Sequence, residues 1–401
     1  MDRIKNPFAP GAGSPPPALV GRSQILEDAR IALARIKKGS HAKSFLLIGL
    51  RGVGKTVLLN EIESLAEAEG YKTVFIEAPE NKRLPALLLP PLRQILFSLD
   101  RVGNMNEQVK RGLRVLKSFA QSVRLKVGEV EVGLEIGSEK GTADSGDLEH
   151  DLPELLVVVA EAAQARGTPI ALIIDEMQYL NEDELSALIM SAHKISQRQL
   201  PLILVGAGLP QLVGLTGKSK SYAERLFNFP NVGPLATEDA KNALQVPVEK
   251  VGISFAQEAL QEIATFAQGY PYFIQVWGHY SWDIAEFSPI AVDVIRDVQD
   301  AVTEHLDQNF FRVRFDRLTP REKDYLRAMA QLGSGAHRSG DIADILGVHV
   351  HSVAPIRSGL IKKGMIYSPA HGDTAFTVPL FDEFMTRIMP EAPRKRRNSK
   401  K

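Results

Sequence analysis

Residues 49–56, which read GLRGVGKT, have the types and spacing needed to bind phosphate. The glycines allow backbone N–H groups to converge on an anion without Cβ clashes, and a helix that follows such a loop adds the positive end of its dipole. Lys55 can reach the β- and γ-phosphates, and the Thr56 hydroxyl can ligate Mg²⁺. We therefore expect the loop to bind ATP or GTP. Its candidate nucleotide-binding residues are Gly49, Leu50, Arg51, Gly52, Val53, Gly54, Lys55 and Thr56.

Two adjacent carboxylates, Asp175 and Glu176, follow an apolar stretch at residues 170–174. If that stretch is a buried parallel strand, its carboxyl end lies at the sheet edge where ligands bind. Asp175 would then hold Mg²⁺ through water, beside Thr56, and Glu176 would polarise the attacking water as general base. Together with Lys55, the pair predicts hydrolysis of ATP to ADP and phosphate. Alternatively, both carboxylates cap the next helix or face solvent.

Strand and helix patterns alternate along the part of the chain that carries both motifs. Apolar strands alternating with amphipathic helices are typical of a parallel sheet covered on both faces, so we predict an α/β domain over residues 18–236. The predicted strands are residues 45–48, 72–76, 170–175, 202–206 and 226–229, and the predicted helices are residues 54–68, 151–166 and 183–197.

An insertion of a different kind, residues 84–150, separates the second and third predicted strands. Residues 84–123 carry two helical stretches, and alternating apolar residues around two glycines predict a β-hairpin over 125–136. A polar, acidic loop follows at 137–150. No role can be assigned to the insertion, and we interpret it as a surface elaboration.

The remaining segments differ in composition from the α/β domain. Proline and glycine in residues 1–17 predict a flexible segment. Residues 237–312 read as amphipathic helices, which predicts a helical lid. Residues 313–390 have the order helix, helix, helix and two-stranded wing, typical of a winged helix-turn-helix. Residues 391–401 form a basic tail.

The winged helix predicts a macromolecular partner. In DNA-binding versions the third helix enters the major groove, and the exposed candidates here are His349, His351, Ser352, Arg357, Lys362 and Lys363. The tail could add phosphate contacts with duplex DNA, although it could equally be a solubilising tail. The alternative for the winged helix is docking to a protein partner, because its third helix is only modestly basic.

Composition excludes several classes of protein. Lys and Arg together number 48, as do Asp and Glu, so the whole molecule has no net field that attracts nucleic acid. The absence of cysteine excludes disulfides, thiolate zinc sites and thiol catalysis. No apolar run approaches the length of a membrane span, and the N-terminal residues lack a secretion signal. We therefore expect a cytoplasmic protein without a membrane partner.

Several of these motifs together resemble the AAA+ group of P-loop ATPases, and in particular its origin-recognition-like and signal-transduction relatives. The resemblance covers about residues 18–390 and rests on LVGR at 19–22, the phosphate loop, IIDEMQYL at 173–180, SYAERLF at 221–227 and GYP at 269–271. It implies a P-loop sheet in the order 5-1-4-3-2 with a helical lid. It also implies that Arg22 lies on the adenine side of the nucleotide.

Two departures from the AAA+ pattern bear on turnover. The resemblance implies a polar residue at the end of the fourth strand, where this chain has Gly206-Ala207-Gly208. It also implies a lid arginine, where this chain has the GYP turn. Arg225 is the remaining candidate, because AAA+ proteins often present an arginine there to the neighbouring subunit's γ-phosphate, which would make the protein a homo-oligomer. Alternatively, Arg225 is a surface residue paired with an acid.

These observations predict a slow, Mg²⁺-dependent ATPase that acts as a nucleotide-gated switch associated with DNA. The alternative is a signalling ATPase whose winged helix and insertion bind a protein partner. A phosphotransferase is less favoured, because Asp175 and Glu176 suit hydrolysis better than transfer to an acceptor.

Overall fold

The structure is a computed structural model that describes residues 1–11, 13–99, 106–123, 137–220, 222–370 and 372–390. The hairpin predicted at 125–136 and the basic tail at 391–401 lie outside the described residues. Among the helices within the described ranges, none combines the length and the apolar character that crossing a lipid bilayer requires.

A five-stranded parallel sheet forms the centre of the α/β domain. The strands are β1 (Ser44–Ile48), β2 (Lys72–Glu77), β3 (Ile170–Asp175), β4 (Leu202–Gly208) and β5 (Phe227–Asn228). They are arranged β2-β3-β4-β1-β5, which confirms the predicted order 5-1-4-3-2. β3 and β4 are buried along their whole lengths, as expected for central strands of a sheet covered on both faces.

The helices of this domain cover both faces of the sheet. They are α1 (Ser23–Lys37), α2 (Lys55–Ala68), α3 (Leu84–Ser98), α4 (Glu107–Ser122), α5 (Leu148–Ala165), α6 (Glu182–Gln197), α7 (Gln211–Ser219) and α8 (Ala223–Leu226). Because side chains alternate along a strand, Phe45 and Leu47 face the core that holds α1 and α2. Leu46 and Ile48 face the core that holds α3 to α6.

The helices of the insertion belong to this second core, which corrects their interpretation as a surface elaboration. Leu88 and Leu96 of α3 and Leu116 and Phe119 of α4 are fully buried. They join the cluster that includes α5 and strands β2 and β3. Without α3 and α4, apolar residues on this face would be exposed to water, so the two helices are structural parts of the α/β domain.

Four helices follow the sheet and form the lid: α9 (Thr237–Glu249), α10 (Gln257–Phe266), α11 (Pro271–Ile284) and α12 (Val292–Leu306). The N-terminal residues pack against α11, which corrects the prediction of a flexible segment. Phe8 is 2% exposed, and its ring lies over Gly278, where a Cβ would come within 2.8 Å of the ring. The Asn6 side chain donates to Asp283 Oδ1 at 2.9 Å. Long-range packing therefore orders a segment that has almost no secondary structure.

The C-terminal module begins after a π-helical turn, Asp307–Phe311. Its elements are α13 (Arg312–Phe315), α14 (Pro320–Leu332), β6 (His337–Arg338), α15 (Ser339–Leu346), α16 (Val350–Lys362), β7 (Ile366–Tyr367), β8 (Asp373–Phe376) and α17 (Phe381–Ile388). The strands form an antiparallel sheet in the order β6-β8-β7. Helices α14, α15 and α16 and strands β7 and β8 follow one another in the order predicted for a winged helix-turn-helix, and α13, β6 and α17 are additional elements.

Candidate nucleotide-binding site

The phosphate loop joins β1 to α2, and its conformation depends on glycine. Gly52 and Gly54 have φ angles of +79° and +90°, which side chains with a Cβ rarely adopt. Lys55 is 7% exposed, and its Nζ donates to the carbonyl oxygens of Gly49 at 3.0 Å and Leu50 at 2.8 Å. Burial lowers the pKa of Lys55 to about 8. The ammonium is therefore desolvated at the loop, where an anion would be its best partner.

Thr56 and Asp175 meet at the carboxyl end of the sheet. Thr56 Oγ1 donates to Asp175 Oδ2 at 2.6 Å, and the Glu176 backbone N–H donates to Asp175 Oδ1 at 2.7 Å. Burial raises the pKa of the Asp175 carboxyl. A hydroxyl and a carboxylate oxygen side by side are the hard ligands that Mg²⁺ prefers, with waters and phosphate oxygens as its other ligands. The residues therefore fit the predicted ion.

Glu176 is held in an uncommon backbone conformation, with φ +55° and ψ +36°. For a residue with a Cβ this left-handed conformation is strained, and such strain is concentrated at functional sites. Its Oε2 accepts a hydrogen bond from Gln178 Nε2, and its Oε1 lies 3.8 Å from Arg51 Nη1. Both contacts restrict the carboxylate that the sequence predicts as the general base.

Gln178 is a residue of the site that sequence reasoning missed. It is 8% exposed, and its Oε1 accepts from the Leu209 backbone N–H at 3.0 Å, just after β4. Neither glycine near the end of β4 has room for a side chain, since a Cβ on Gly206 would lie 2.1 Å from Met177 Sδ and one on Gly208 would lie 2.8 Å from Leu212 Cδ2. Gln178 therefore connects Glu176 to the end of β4 from the neighbouring loop.

Arg22 and Arg225 have different surroundings. Arg22 Nη2 donates to the carbonyl oxygens of Val53, at 3.3 Å, and of Gly233, so it joins the phosphate loop to the segment after β5. Burial lowers the pKa of Arg22. Arg225 is exposed on α8, and among the described residues it has no carboxylate partner. It does not line the cavity of its own chain, so its action on a neighbouring subunit stays a prediction.

A cavity of about 640 Å³ lies above the loop, between the N-terminal segment, lid helix α11 and the C-terminal module. This volume is in the range of ligand pockets. Among the residues that the structure describes, six cationic side chains but only one carboxylate, that of Glu176, line it. The cations are Arg22, Arg51, Lys55, Arg314, Arg317 and Lys363. The excess of positive charge favours a polyanion such as a nucleoside triphosphate.

Three of these cations come from the C-terminal module, and no local sequence pattern identified Arg314 or Arg317 as site residues. Arg317 Nη2 donates to both carboxylate oxygens of Glu80, at 2.8 and 2.9 Å. Lys363 Nζ donates to Glu322 Oε2 at 2.7 Å. Lys363 was predicted to face DNA, and its position at the cavity corrects that prediction.

Arg357 is the second predicted DNA-facing residue that the structure places elsewhere. Its Nε donates to Thr374 Oγ1 at 2.9 Å, and its Nη2 donates to Ser368 Oγ at 2.8 Å and to the Asp373 carbonyl at 2.9 Å. These bonds join α16 to β8 and to the turn before it, so Arg357 stabilises the packing of the helix on the small sheet. The other four candidates, His349, His351, Ser352 and Lys362, are exposed.

Arg51 connects the phosphate loop directly to the C-terminal module. Its backbone N–H donates to the Thr377 carbonyl at 3.1 Å, and its Nε lies 3.4 Å from the Gly364 carbonyl, which it contacts as a donor. Its Nη2 donates to the Tyr179 hydroxyl at 2.7 Å. The module is therefore docked on the loop that would hold the phosphates.

Comparison with known proteins found two family models that match parts of this chain. Residues 18–205 match the family model of the AAA ATPase domain. This segment is therefore similar to AAA ATPase domains. Residues 308–385 match a model described as a domain of unknown function. No curated protein matches the chain.

Several solved structures are similar to this chain, one of them with a TM-score above 0.5. A Walker-type ATPase of Pyrococcus abyssi is 17% identical, with 93% of this chain and 98% of that chain covered and a TM-score of 0.58. The ORC1 protein of Aeropyrum pernix, in complex with DNA, is 17% identical, with 94% of each chain covered and a TM-score of 0.46. The RuvB Holliday junction branch migration motor of Thermotoga maritima is 16% identical, with 88% of this chain and 92% of that chain covered and a TM-score of 0.44.

Proposed function

We propose that the protein binds ATP with Mg²⁺ in this cavity and hydrolyses it slowly. The observation that carries the proposal is the pair of Thr56 and Asp175, 2.6 Å apart beside the buried ammonium of Lys55. Thr56 and Asp175 would hold Mg²⁺, which neutralises phosphate charge when bound. An ATPase needs these groups at the end of one strand and the start of one helix, and the fold brings them there.

The chain's own residues divide the chemistry of hydrolysis between them. Lys55 and the backbone N–H groups of the loop bind the phosphates and stabilise the charge that develops on them. Glu176 accepts a proton from the attacking water. Gln178 orients Glu176, and Arg51 lies close enough to compete for its carboxylate. Because Glu176 is engaged by two neighbours, we expect turnover to be slow until one of them moves.

We propose further that the C-terminal module is the switched element. Arg51 belongs to the phosphate loop, and the module holds both its backbone N–H and its side chain. A bound triphosphate requires that loop to wrap around its oxygens, so phosphate binding and module docking act on the same residue. ATP would thereby change the docking of the module.

Arg51→Ala is expected to loosen the module without nucleotide, because it removes the side-chain contact with the Gly364 carbonyl of the module. Hydrogen exchange of residues 364–378 should then rise several-fold in the variant. ATP should produce a similar rise in the parent protein but not in Lys55→Ala. The matched control is Arg30→Ala, which removes an exposed arginine paired with Glu27 on α1. Equal exchange in all of these samples would refute the switch.

For the partner, we propose weak association with duplex DNA through phosphates. The exposed face of α16 supports it, because this helix carries Lys362 and His351, follows directly after His349, and contains no acidic residue. The second candidate is a protein partner. It is favoured by the internal bonds of Arg357 and Lys363, which leave α16 less basic than the sequence predicted.

A salt titration of DNA binding separates the two candidates. Deleting residues 394–401 from the full chain should lower the slope of log affinity against log salt by about three to five, at roughly 0.9 per phosphate contact. Lys362→Glu should weaken binding even with the tail present, whereas Lys38→Glu, directly after α1, should not. If the full chain binds no duplex DNA at low salt, the DNA proposal is refuted and a protein partner becomes the favoured proposal.

A further inference from the structure

We infer that Arg314 contacts the terminal phosphate of a bound nucleoside triphosphate and so distinguishes it from a diphosphate. The inference rests on the proposed nucleotide binding and extends it to a residue outside the α/β domain and the lid. Arg314 lies on α13, the four-residue helix that follows the π-helical turn and precedes α14. Single π-helical turns occur frequently at functional sites.

The guanidinium of Arg314 has unused hydrogen-bonding capacity. It lies over the Phe310 ring, 4.4 Å from the ring centroid, and its Nη1 donates to the Phe310 carbonyl. Both contacts are with a residue one turn earlier in the same chain segment. A guanidinium has five N–H donors, so most of them are available to a ligand in the cavity that Arg314 lines.

Arg22, Lys55 and Arg314 are the cavity cations without a carboxylate partner among the described residues, and Arg22 and Lys55 are already bonded to the phosphate loop. Arg317 and Lys363 each have a carboxylate partner, and Arg51 lies near Glu176. Arg22 and Lys55 donate to carbonyl oxygens of the loop or the adjoining segments. Arg314 has no carboxylate partner among the described residues. Burial lowers its pKa to about 10, so it is a charged, desolvated group at neutral pH. An anion in the cavity would offset that desolvation.

The position of Arg314 favours the terminal phosphate over the rest of the nucleotide. Arg314 lines the cavity together with Arg51, Glu176 and Tyr179. Glu176 is the proposed general base and must face the γ-phosphate, where water attacks. The Phe310 ring under the Arg314 guanidinium also packs against the phosphate loop, 3.8 Å from where a Cβ on Gly52 would lie. A cation that lines the cavity with Glu176 and borders this loop would face the γ-phosphate, and a diphosphate would leave it without a partner.

The test compares Mg²⁺-ATP and Mg²⁺-ADP binding by calorimetry on the full chain. Arg314→Met keeps the side-chain packing over Phe310 and removes the charge. We expect it to lower ATP affinity about ten- to a hundredfold, with ADP affinity changed less than about threefold. Arg314→Lys should retain part of the preference for ATP. The matched control is Arg312→Met, two residues away on α13, where the side chain is exposed.

The outcomes separate this inference from the proposed function. Equal losses for ATP and ADP in Arg314→Met would show a structural role and overturn the inference, as would no change for either nucleotide. If the parent protein bound neither nucleotide, the proposed nucleotide-binding site would be refuted, and so would this inference. Thermal unfolding of each variant without nucleotide shows whether a loss of affinity reflects a loss of folding.

Discussion

Lys55→Ala is expected to abolish ATP binding, lowering the affinity by at least about a hundredfold. The Lys55 ammonium is desolvated and has only two carbonyl partners in the loop. Each charge-assisted hydrogen bond it could make to the phosphates contributes about 1.5–3 kcal/mol, and two of them correspond to a hundredfold or more. Calorimetric titration with Mg²⁺-ATP measures the loss.

The matched control for this variant is Lys38→Ala, which removes an exposed lysine at the end of α1. It should bind ATP as the parent protein does. The unfolding temperature of Lys55→Ala without nucleotide should stay near that of the parent. ATP binding by Lys55→Ala within about threefold of the parent would refute the assignment of the loop as the phosphate site.

Glu176→Gln is expected to leave ATP binding within about threefold of the parent and to lower the hydrolysis rate by about 10²–10⁴-fold. General-base catalysis contributes a factor of this size, and glutamine keeps the shape of the side chain but cannot accept the proton. Its amide oxygen can still accept the hydrogen bond from Gln178. Single-turnover release of phosphate measures the effect of the substitution on chemistry separately from binding.

Glu77→Gln is the matched control for hydrolysis. Glu77 ends β2 directly opposite Asp175, so it is a carboxylate at the same edge of the sheet, but it is exposed and does not line the cavity. It should hydrolyse ATP at the parental rate. If Glu176→Gln did so as well, the water-activating residue would have to be sought elsewhere. The contrast with Lys55→Ala separates loss of binding from loss of chemistry.

Sequence reasoning predicted the parts of the site that depend on local patterns. The loop before α2 and the carboxylates after β3 are recognisable because strand, turn and helix signals adjoin them. The sheet order came from the resemblance to AAA+ ATPases, since alternation of elements predicts parallel strands without ordering them. The structure confirms that order.

The remaining features depend on contacts between residues far apart in the chain. Arg314 and Lys363 reach the cavity only because the C-terminal module docks on the loop, and neither has a distinguishing neighbour in sequence. Gln178 is recognisable as a polar residue of the site only from the structure, because it bonds to Leu209 just after β4, where Gly206 leaves no space for a side chain. The N-terminal segment was predicted as flexible from its composition. In the structure Phe8 packs into the space left by the missing side chain of Gly278, a contact that no local pattern reveals.

The packing of Phe8 against Gly278 has a kinetic consequence. Residues 9–11, 13, 14 and 16 line the cavity, and the Asn60 side chain of α2 donates to the Gly13 carbonyl. A nucleotide in the cavity would thus lie between this segment and the phosphate loop. Its departure would require the segment or the lid to lift. We therefore expect the residence time of a bound nucleotide to depend on the packing of the Phe8 ring against lid helix α11 as well as on the phosphate contacts.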